Sequence, residues 1–460
     1  MCNHMKRKVE KYLEVWLRGK TALLIDGARQ VGKTYILKDF AVRHFKHLIY
    51  KNLFEDTDAL ATLKGARNAE DFLLRLSALV REPMVPGETV IFIDEIQEFK
   101  EYIPEFITLV KFLVDGGKFR FMFSGSLLGV ALYDAKSWPT GYLSAKTMYP
   151  MDFEEFLWAG GINSELIHKV QEAFEKMTPV EDFIHTLMQD MFSKYIIVGG
   201  MPAAVKAFFE TGDLNSVALA HEDIETYYKK DVAKYAREDE KLKIKEMYEM
   251  IPDELNSKTK RFHLNDIAEL KRGDDPGLSI SWLKNAGVAI PVYTCDEPKI
   301  PLRVNTNRNY LKLFHADVGM LVYLLMDPSV QRRLLTGDIN INFGSIYENV
   351  AAQLLQSHGF EHLYYYNKKK AGEVDFLVEY HGSVLPVEIK SGKDYERHRA
   401  LNNLLESEEY DIPLGMVFCN DNVAFDGSIA RLPVYMLEFL RKKDLYFGNN
   451  ISEMYRLIVN

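Results

Sequence analysis

A chain of 460 residues with 47% hydrophobic and 27% charged side chains has the make-up of an ordinary globular protein and is too long for one core, so two or three domains are expected. A formal charge of −9 argues against a surface that coats nucleic acid, and no apolar run approaches the ~18–20 residues of a membrane helix. Cys2, Cys295 and Cys419 are too scattered to indicate a disulfide framework or a Cys-rich zinc site, and Met1 to Lys20 lack a signal-peptide core, so a reducing cytoplasm is the expected location.

The first chemical element follows the buried-strand pattern Thr21–Ile25. Gly27, Ala28, Arg29, Gln30, Val31, Gly32, Lys33 and Thr34 fit G-x-x-x-x-G-K-[ST], and Tyr35–Phe40 continues as the opening of a helix. Strand, glycine-framed loop and helix in that order build a phosphate cradle: Gly27 and Gly32 allow the tight wrap, and backbone N–H groups and the helix N-terminus converge on the anion. Lys33 is expected to reach the β/γ oxygens of ATP and Thr34 to hold Mg²⁺.

Residues up to about 160 alternate strand (21–26), helix (33–44), strand (47–53), helix (69–80), strand (89–94), helix (102–115) and strands (119–124, 142–149). This predicts a doubly wound parallel sheet with its ligand at the carboxyl ends of the strands. Thr89–Ile93 is apolar and β-branched throughout, as a central strand covered on both faces must be. At its tip, Asp94 can hold the Mg²⁺ shell and Glu95 can polarise an attacking water. Phe119–Phe123 runs into Ser124-Gly125-Ser126, whose hydroxyls, Ser124 or Ser126, are placed to sense a γ-phosphate.

From about 165 to 250 the pattern is helical, punctuated by Gly199-Gly200-Met201-Pro202. Phe262–Leu270, a turn over Gly273–Gly277, and Leu278–Gly287 then predict two short helices, with Val288–Tyr293 and Ile300–Val304 as a hairpin. Helix–turn–helix plus hairpin suggests a winged-helix module, which reads DNA or serves as a protein-contact element. The lack of a basic recognition face favours the structural role. Lysines at 229–230, 241–245, 258–261 and 368–370 could line a basic groove, although such runs are usually solvated faces.

The C-terminal part carries a second constellation. Gly344–Leu355 predicts an amphipathic helix with Glu348 near its start, followed by strands over 361–366, 372–380 and 383–390. Residues i and i+2 of a strand share a face, so Glu388 and Lys390 point together while Val387 and Ile389 enter the core, and Asp375 on the neighbouring strand faces the same pocket. Asp375 and Glu388 offer hard oxygen ligands to Mg²⁺, Glu348 extends the set, and Lys390 can position or deprotonate a metal-bound water. That is equipment for metal-assisted phosphodiester hydrolysis.

Taken together, Gly27–Thr34, Val90–Glu95, Ser124-Gly125-Ser126, Tyr149–Leu157, Gly199–Pro202, Gly344–Glu348, Glu373–Phe376 and Val387–Ser391 resemble the prokaryotic AAA-type ATPases fused to a C-terminal restriction-endonuclease-like domain of unknown function. The resemblance implies an α/β architecture: a P-loop AAA-type ATPase core over 1–160, a helical segment over 161–240, a winged-helix-like module over 241–325 and a PD-(D/E)XK nuclease-like domain over 326–460. It implies Mg²⁺-dependent ATP hydrolysis with Glu95 as the catalytic carboxylate, and a second site on Glu348, Asp375, Glu388 and Lys390. One departure is that Gly141-Tyr142 stands where such proteins often carry a Gly-Arg arginine finger, so either hydrolysis is slow or Arg237 or another arginine substitutes. The expected partners are ATP and, for the C-terminal domain, either DNA as a nuclease substrate or a protein, a second copy included, docked on a catalytically silent fold.

Overall fold

Short apolar runs between amphipathic helices become a parallel sheet here because each run is covered on both faces. The computed structural model describes residues 5–126, 141–257, 260–264, 267, 275–336, 344–392 and 396–442. The chain divides into two compact units, one of Met1–Tyr149 with Asn285–Gly287, the other of Pro150–Lys284 with Val288–Asn460.

The first unit opens with α1 (Val9–Leu17), then β1 (Ala22–Asp26), α2 (Lys33–His44), β2 (His47–Asn52), α3 (Thr57–Lys64), α4 (Ala69–Ala78), β3 (Thr89–Asp94), α5 (Ile103–Asp115), β4 (Arg120–Ser124) and β5 (Leu143–Thr147). The strands lie in the order β2-β3-β4-β1-β5, and every pairing is parallel. All five carboxyl ends therefore share one edge. The expected strands and their connecting helices are found within a few residues of their predicted bounds. Two helices were not expected. α1 buries Tyr12, Leu13 and Trp16 at helical spacing, and α3 starts at an Asp56 N-cap that accepts the Ala59 N–H at 2.8 Å. β3 is buried from end to end, and Ile91, Ile93, Phe99, Phe106, Phe121 and Phe123 share one core around it.

The second unit starts with helices α6 (Phe153–Ala159), α7 (Ser164–Lys176), α8 (Asp182–Val198), α9 (Pro202–Thr211), α10 (Leu214–Tyr235), α11 (Lys241–Asn256) and α12 (Pro276–Asn285). It continues through β6 (Ala289–Cys295), β7 (Thr306–His315), α13 (Val318–Leu325), α14 (Pro328–Leu335), α15 (Gly344–Ser357), β8 (Leu363–Lys368), β9 (Gly372–Tyr380), β10 (Ser383–Ile389), α16 (Arg399–Leu405), β11 (Gly415–Cys419), β12 (Ala424–Phe425) and β13 (Ile429–Pro433). Its eight strands form a mixed sheet, β12-β13-β11-β10-β9-β8-β6-β7. The two sequence motifs at 149–157 and 199–202 meet within this unit. Gly200 lies so close to Met151 that a Cβ would stand 2.0 Å from its carbonyl oxygen, and the Met151 N–H donates to the Gly200 carbonyl at 2.7 Å.

The hairpin expected as a wing takes a different place. β6 pairs antiparallel with β7 but also parallel with β8, so it is an interior strand of the C-terminal sheet. Ala289, Ile290 and Val292 form an apolar run that one exposed face would leave in water, and burial between two neighbours resolves this. Ile300–Val304 precedes β7, with a 3-10 turn over Leu302–Asn305. The expected second helix is present as α12. Of the first, expected at 262–270, only 262–264 and 267 are described. Of the turn at 273–277, 273–274 lie outside the described residues and Pro276 and Gly277 already belong to α12; Lys258 and Thr259 also lie outside.

α15 is held on this sheet by directional bonds. Asn349 is completely buried, accepts the His315 N–H at 2.8 Å and donates to the His315 carbonyl at 3.0 Å, acting as one more rung at the end of β7. Gln353, one turn later, accepts the Val318 N–H at 2.7 Å. Asn349→Leu keeps the forked shape of the side chain and removes both partners of His315. It should lower the unfolding free energy by about 2–4 kcal/mol, read from the urea midpoint at unchanged slope.

Candidate functional site: the glycine-framed loop and the β3 tip

The loop after β1 is shaped by two glycines at positive φ. Gly27 has φ +130° and passes so near β5's exit that a Cβ would lie 2.1 Å from the Met148 carbonyl oxygen. Gly32 has φ +94° and turns the chain directly into α2. Lys33, the first residue of α2, is buried, and its ammonium donates to the carbonyls of Gly27 at 2.9 Å and Ala28 at 2.7 Å. Burial lowers its pKa, while Glu95, Asp94 and Asp26 pull it back up. Arg7 clamps the loop from outside, donating to the Val31 carbonyl at 2.7 Å and the Tyr149 carbonyl at 2.8 Å.

Facing the loop is Asp94, at the end of β3 and 1% exposed. Its Oδ2 accepts from Thr34 Oγ1 at 2.7 Å and from the Tyr50 hydroxyl at 3.0 Å. Its Oδ1 accepts from the Glu95 N–H at 3.0 Å and from the Ser124 hydroxyl. Glu95 itself is left-handed, at φ +58° and ψ +46°, and its Oε2 accepts from the Gln97 amide and from Ser126 Oγ at 3.3 Å. The structure thus brings Lys33, Thr34, Asp94, Glu95, Ser124 and Ser126 to one edge of the sheet.

Sequence reasoning missed Arg7, Asp26, Tyr50 and Gln97. Asp26 is the half-buried last residue of β1. Desolvation raises its pKa, while a bond from Thr147 and the charge of Lys33 oppose the shift. Tyr50 could have been anticipated from β2, whose register places Tyr50 opposite Phe92 and Asn52 opposite Asp94. Arg7 carries no local signal, because its targets come from the loop and from the far side of β5.

A second charged cluster lies wholly within the C-terminal unit. Glu388 Oε1 pairs with Lys390 Nζ at 2.6 Å, and Asp375 Oδ2 accepts the Ile389 N–H at 2.8 Å, so the expected hairpin register holds. Glu348, 3% exposed, is paired on one oxygen with Lys260 and on the other with Lys312 at 3.1 Å. Lys312, fully buried on β7, also reaches Glu373 at 2.7 Å. Burial and the charges of Glu348 and Glu388 push the Asp375 carboxyl well above the usual range. Lys312, Lys260 and Glu373 were absent from the sequence reading of this site. The Lys-rich runs at 229–245 are laced with carboxylates: Lys229 with Glu225 and Glu249, Lys243 with Glu240, and Lys245 with Glu249. Arg237 lies in the turn between α10 and α11 of this unit.

The family model described as an AAA domain matches residues 19–157. That span holds the loop, Asp94, Glu95 and Ser124. Residues 19–157 are an AAA-type ATPase domain. Two domains of unknown function, DUF8612 and DUF4143, match residues 189–331 and 343–437, and no curated protein matches the chain. Among solved structures, the Aeropyrum pernix ORC1 protein, in complex with DNA, is similar at 14% identity over 72% of this chain and 96% of its own, with a TM-score of 0.33. Cdc6p from Pyrobaculum aerophilum is similar at 12% identity over 74% and 96%, with a TM-score of 0.24. PCH-2 of C. elegans is similar at 12% identity over 46% and 63%, with a TM-score of 0.26. Among the described residues no helix is long and apolar enough to cross a membrane.

Within the ATPase domain, Tyr50 is the donor to Asp94 that comes from β2. Tyr50→Phe should cost about 1.5–3 kcal/mol, the range for a hydrogen bond to a charged group. A double-mutant cycle with Asp94→Asn, followed by urea denaturation, should show most of that energy as coupling between the two side chains.

Proposed function

We propose that the ATPase domain binds and hydrolyses ATP with Mg²⁺, and that the protein works as a nucleotide-dependent switch whose C-terminal nuclease-like fold is a docking surface rather than a cutting one. The observation that carries the first half is the Thr34–Asp94 pair. A hydroxyl on the first turn of α2 and a carboxylate at the tip of β3 are already joined where a phosphate-bound cation must sit, beside a buried ammonium and a glycine-framed loop. These residues fit a magnesium nucleoside triphosphate. Gly27–Thr34 and Lys33 would hold the phosphates, and Thr34 with Asp94 would hold the Mg²⁺ shell; the metal neutralises charge on the transferring phosphoryl group. Glu95, steered by its left-handed backbone and by Gln97 and Ser126, is the residue placed to orient and polarise water. Ser124, bound to Asp94, couples the β4 tip to the same carboxylate.

The second half rests on Lys312. Both Glu348 oxygens are ion-paired, Glu388 is paired through Lys390, and the ligand atoms of Glu348, Asp375 and Glu388 do not all lie within 4.8 Å of one another. As placed, these residues do not fit a divalent ion. The protein's own ammonium groups supply the positive charge that a metal would bring, which favours a silent fold.

Lys33→Ala should abolish ATP binding, measured by calorimetry. Glu95→Gln should keep binding and lose about 10²–10⁴-fold in turnover, the usual contribution of a positioned base. Wild-type protein should leave plasmid and single-stranded DNA intact with Mg²⁺ or Mn²⁺. Nicking that Asp375→Asn removes would overturn the silent reading and leave the ATPase reading untouched.

A further inference from the structure

Beside the β3 tip, the sheet-facing side of α2 makes a second contact one turn beyond Thr34. Lys38 is four residues after Thr34, so the two side chains leave α2 on the same face. Beneath them, β2 pairs with β3 so that Tyr50 lies opposite Phe92 and Asn52 opposite Asp94. Residues two apart on a strand share a face, which puts Tyr50 and Asp94 on one side of the sheet as diagonal neighbours. Thr34 donates to Asp94 Oδ2 at 2.7 Å, and the Tyr50 hydroxyl donates to the same oxygen at 3.0 Å. The Lys38 ammonium stands over the Tyr50 ring, 3.4 Å from its centroid. Thr34, Asp94, Tyr50 and Lys38 thus form a closed circuit of two helix residues and two strand residues.

The ring is the one partner Lys38 has among the described residues. Its ammonium makes no hydrogen bond and no ion pair there, although the side chain is half-buried. A lysine kept for the packing of its stem alone carries its charge out to water. Here the charge is folded back over an aromatic face, which attracts it through the negative potential of the ring. Phe92 steadies the same ring, with centroids 5.2 Å apart and planes inclined at 55°.

This placement acts on the hydroxyl at the far end of the ring. A cation over a phenol draws electron density away from the oxygen and makes its O–H a stronger donor. The acceptor is Asp94, which is 1% exposed and has no water to compete for that bond. A firmer bond at Oδ2 restricts rotation of the carboxylate and keeps that oxygen beside the Thr34 hydroxyl.

We propose that Lys38 is a positioning residue for the magnesium site, acting through Tyr50 on Asp94. The proposal rests on the ATPase reading above. Lys38 touches neither nucleotide nor metal in this role; it holds Tyr50, and Tyr50 holds Asp94 in the direction that a cation bound to Thr34 needs.

The test uses the full-length chain and ATP, titrated by calorimetry with Mg²⁺ and again with EDTA. Lys38→Met keeps the stem and removes the charge, whereas Lys38→Arg keeps a cation over the ring. Lys38→Met should weaken ATP binding about three- to tenfold with Mg²⁺, as the loss of one cation–π contact implies, and by less than about twofold without the metal. Lys38→Arg should restore the Mg²⁺-dependent affinity. In a Tyr50→Phe background, which keeps the ring and loses the hydroxyl, Lys38→Met should have no further effect. Equal losses with and without Mg²⁺, or an undiminished loss in the Tyr50→Phe background, would overturn the proposal. Wild-type protein that binds no ATP would instead remove the ATPase reading. A double-mutant cycle of Lys38→Met with Tyr50→Phe, read from urea midpoints of the nucleotide-free protein, separates the two cases. Coupling between the two changes supports the link from Lys38 to Asp94, and additive effects overturn it.

Discussion

The ATPase domain depends on satisfying one buried carboxylate inside it. Asp94 ends a strand that is buried over its whole length, and a polar group left unbonded there would be costly. It is held by hydroxyls from α2, β2 and β4 and by the N–H of Glu95. At about 1.5–3 kcal/mol for each hydrogen bond to a charged group, these contacts outweigh the ~1–2 kcal/mol of a left-handed non-glycine residue at Glu95. The strained conformation next to Asp94 is thus sustained by Asp94's own partners. One cluster of bonds fixes the register of three strands at their tips, the start of α2 and the direction of the neighbouring carboxylate.

This explains why the first site was legible in the sequence and the second only partly. The phosphate loop is contiguous, so its glycines, lysine and threonine declare it without knowledge of the fold. The β3 tip is legible because an unbroken apolar strand delivers whatever follows it to the sheet edge. Tyr50 is reached only through the pairing of β2 with β3, and Arg7 acts across the fold with nothing near it in the chain pointing to its targets. The same holds for β6. Locally it forms a hairpin with β7, and only its parallel pairing with β8, Val292 beside Leu363, turns a wing into an interior strand. Lys312 left a trace that was not used. A lysine between Leu311 and Leu313 in an otherwise apolar stretch must either reach water or meet a carboxylate, and here it meets two.

The two charged clusters differ in what they can still accept. In the loop, Lys33 is bonded to backbone carbonyls, which are neutral acceptors that an anion can displace, and the nearby carboxylates are held by hydroxyls and N–H groups rather than by cations. In the C-terminal cluster, ammonium groups bind the carboxylates directly. An arriving divalent ion would have to break ion pairs inside a low-dielectric core, where truncating or displacing one partner is costly. Similar residue types therefore lead to opposite capacities, and partner identity decides which applies.

α15 connects these observations within the C-terminal unit. Most of its length is buried, yet Ser345, Asn349 and Gln353 recur at intervals of four, Glu348 sits beside them, and His358 follows its last turn. A helix buried through apolar contacts alone can slide and rotate with little penalty, because dispersion is not directional. A helix whose buried stripe is amide and carboxylate cannot, since each step would strand a backbone group of β7 or an ammonium. Asn349 pins the helix to His315, Gln353 to Val318, and Glu348 to Lys312. The charged cluster at one end of α15 and the histidine at the other are therefore referred to a single rigid element. A change in charge at Lys312 or at His358 would be felt as a displacement of α15 rather than absorbed by local repacking.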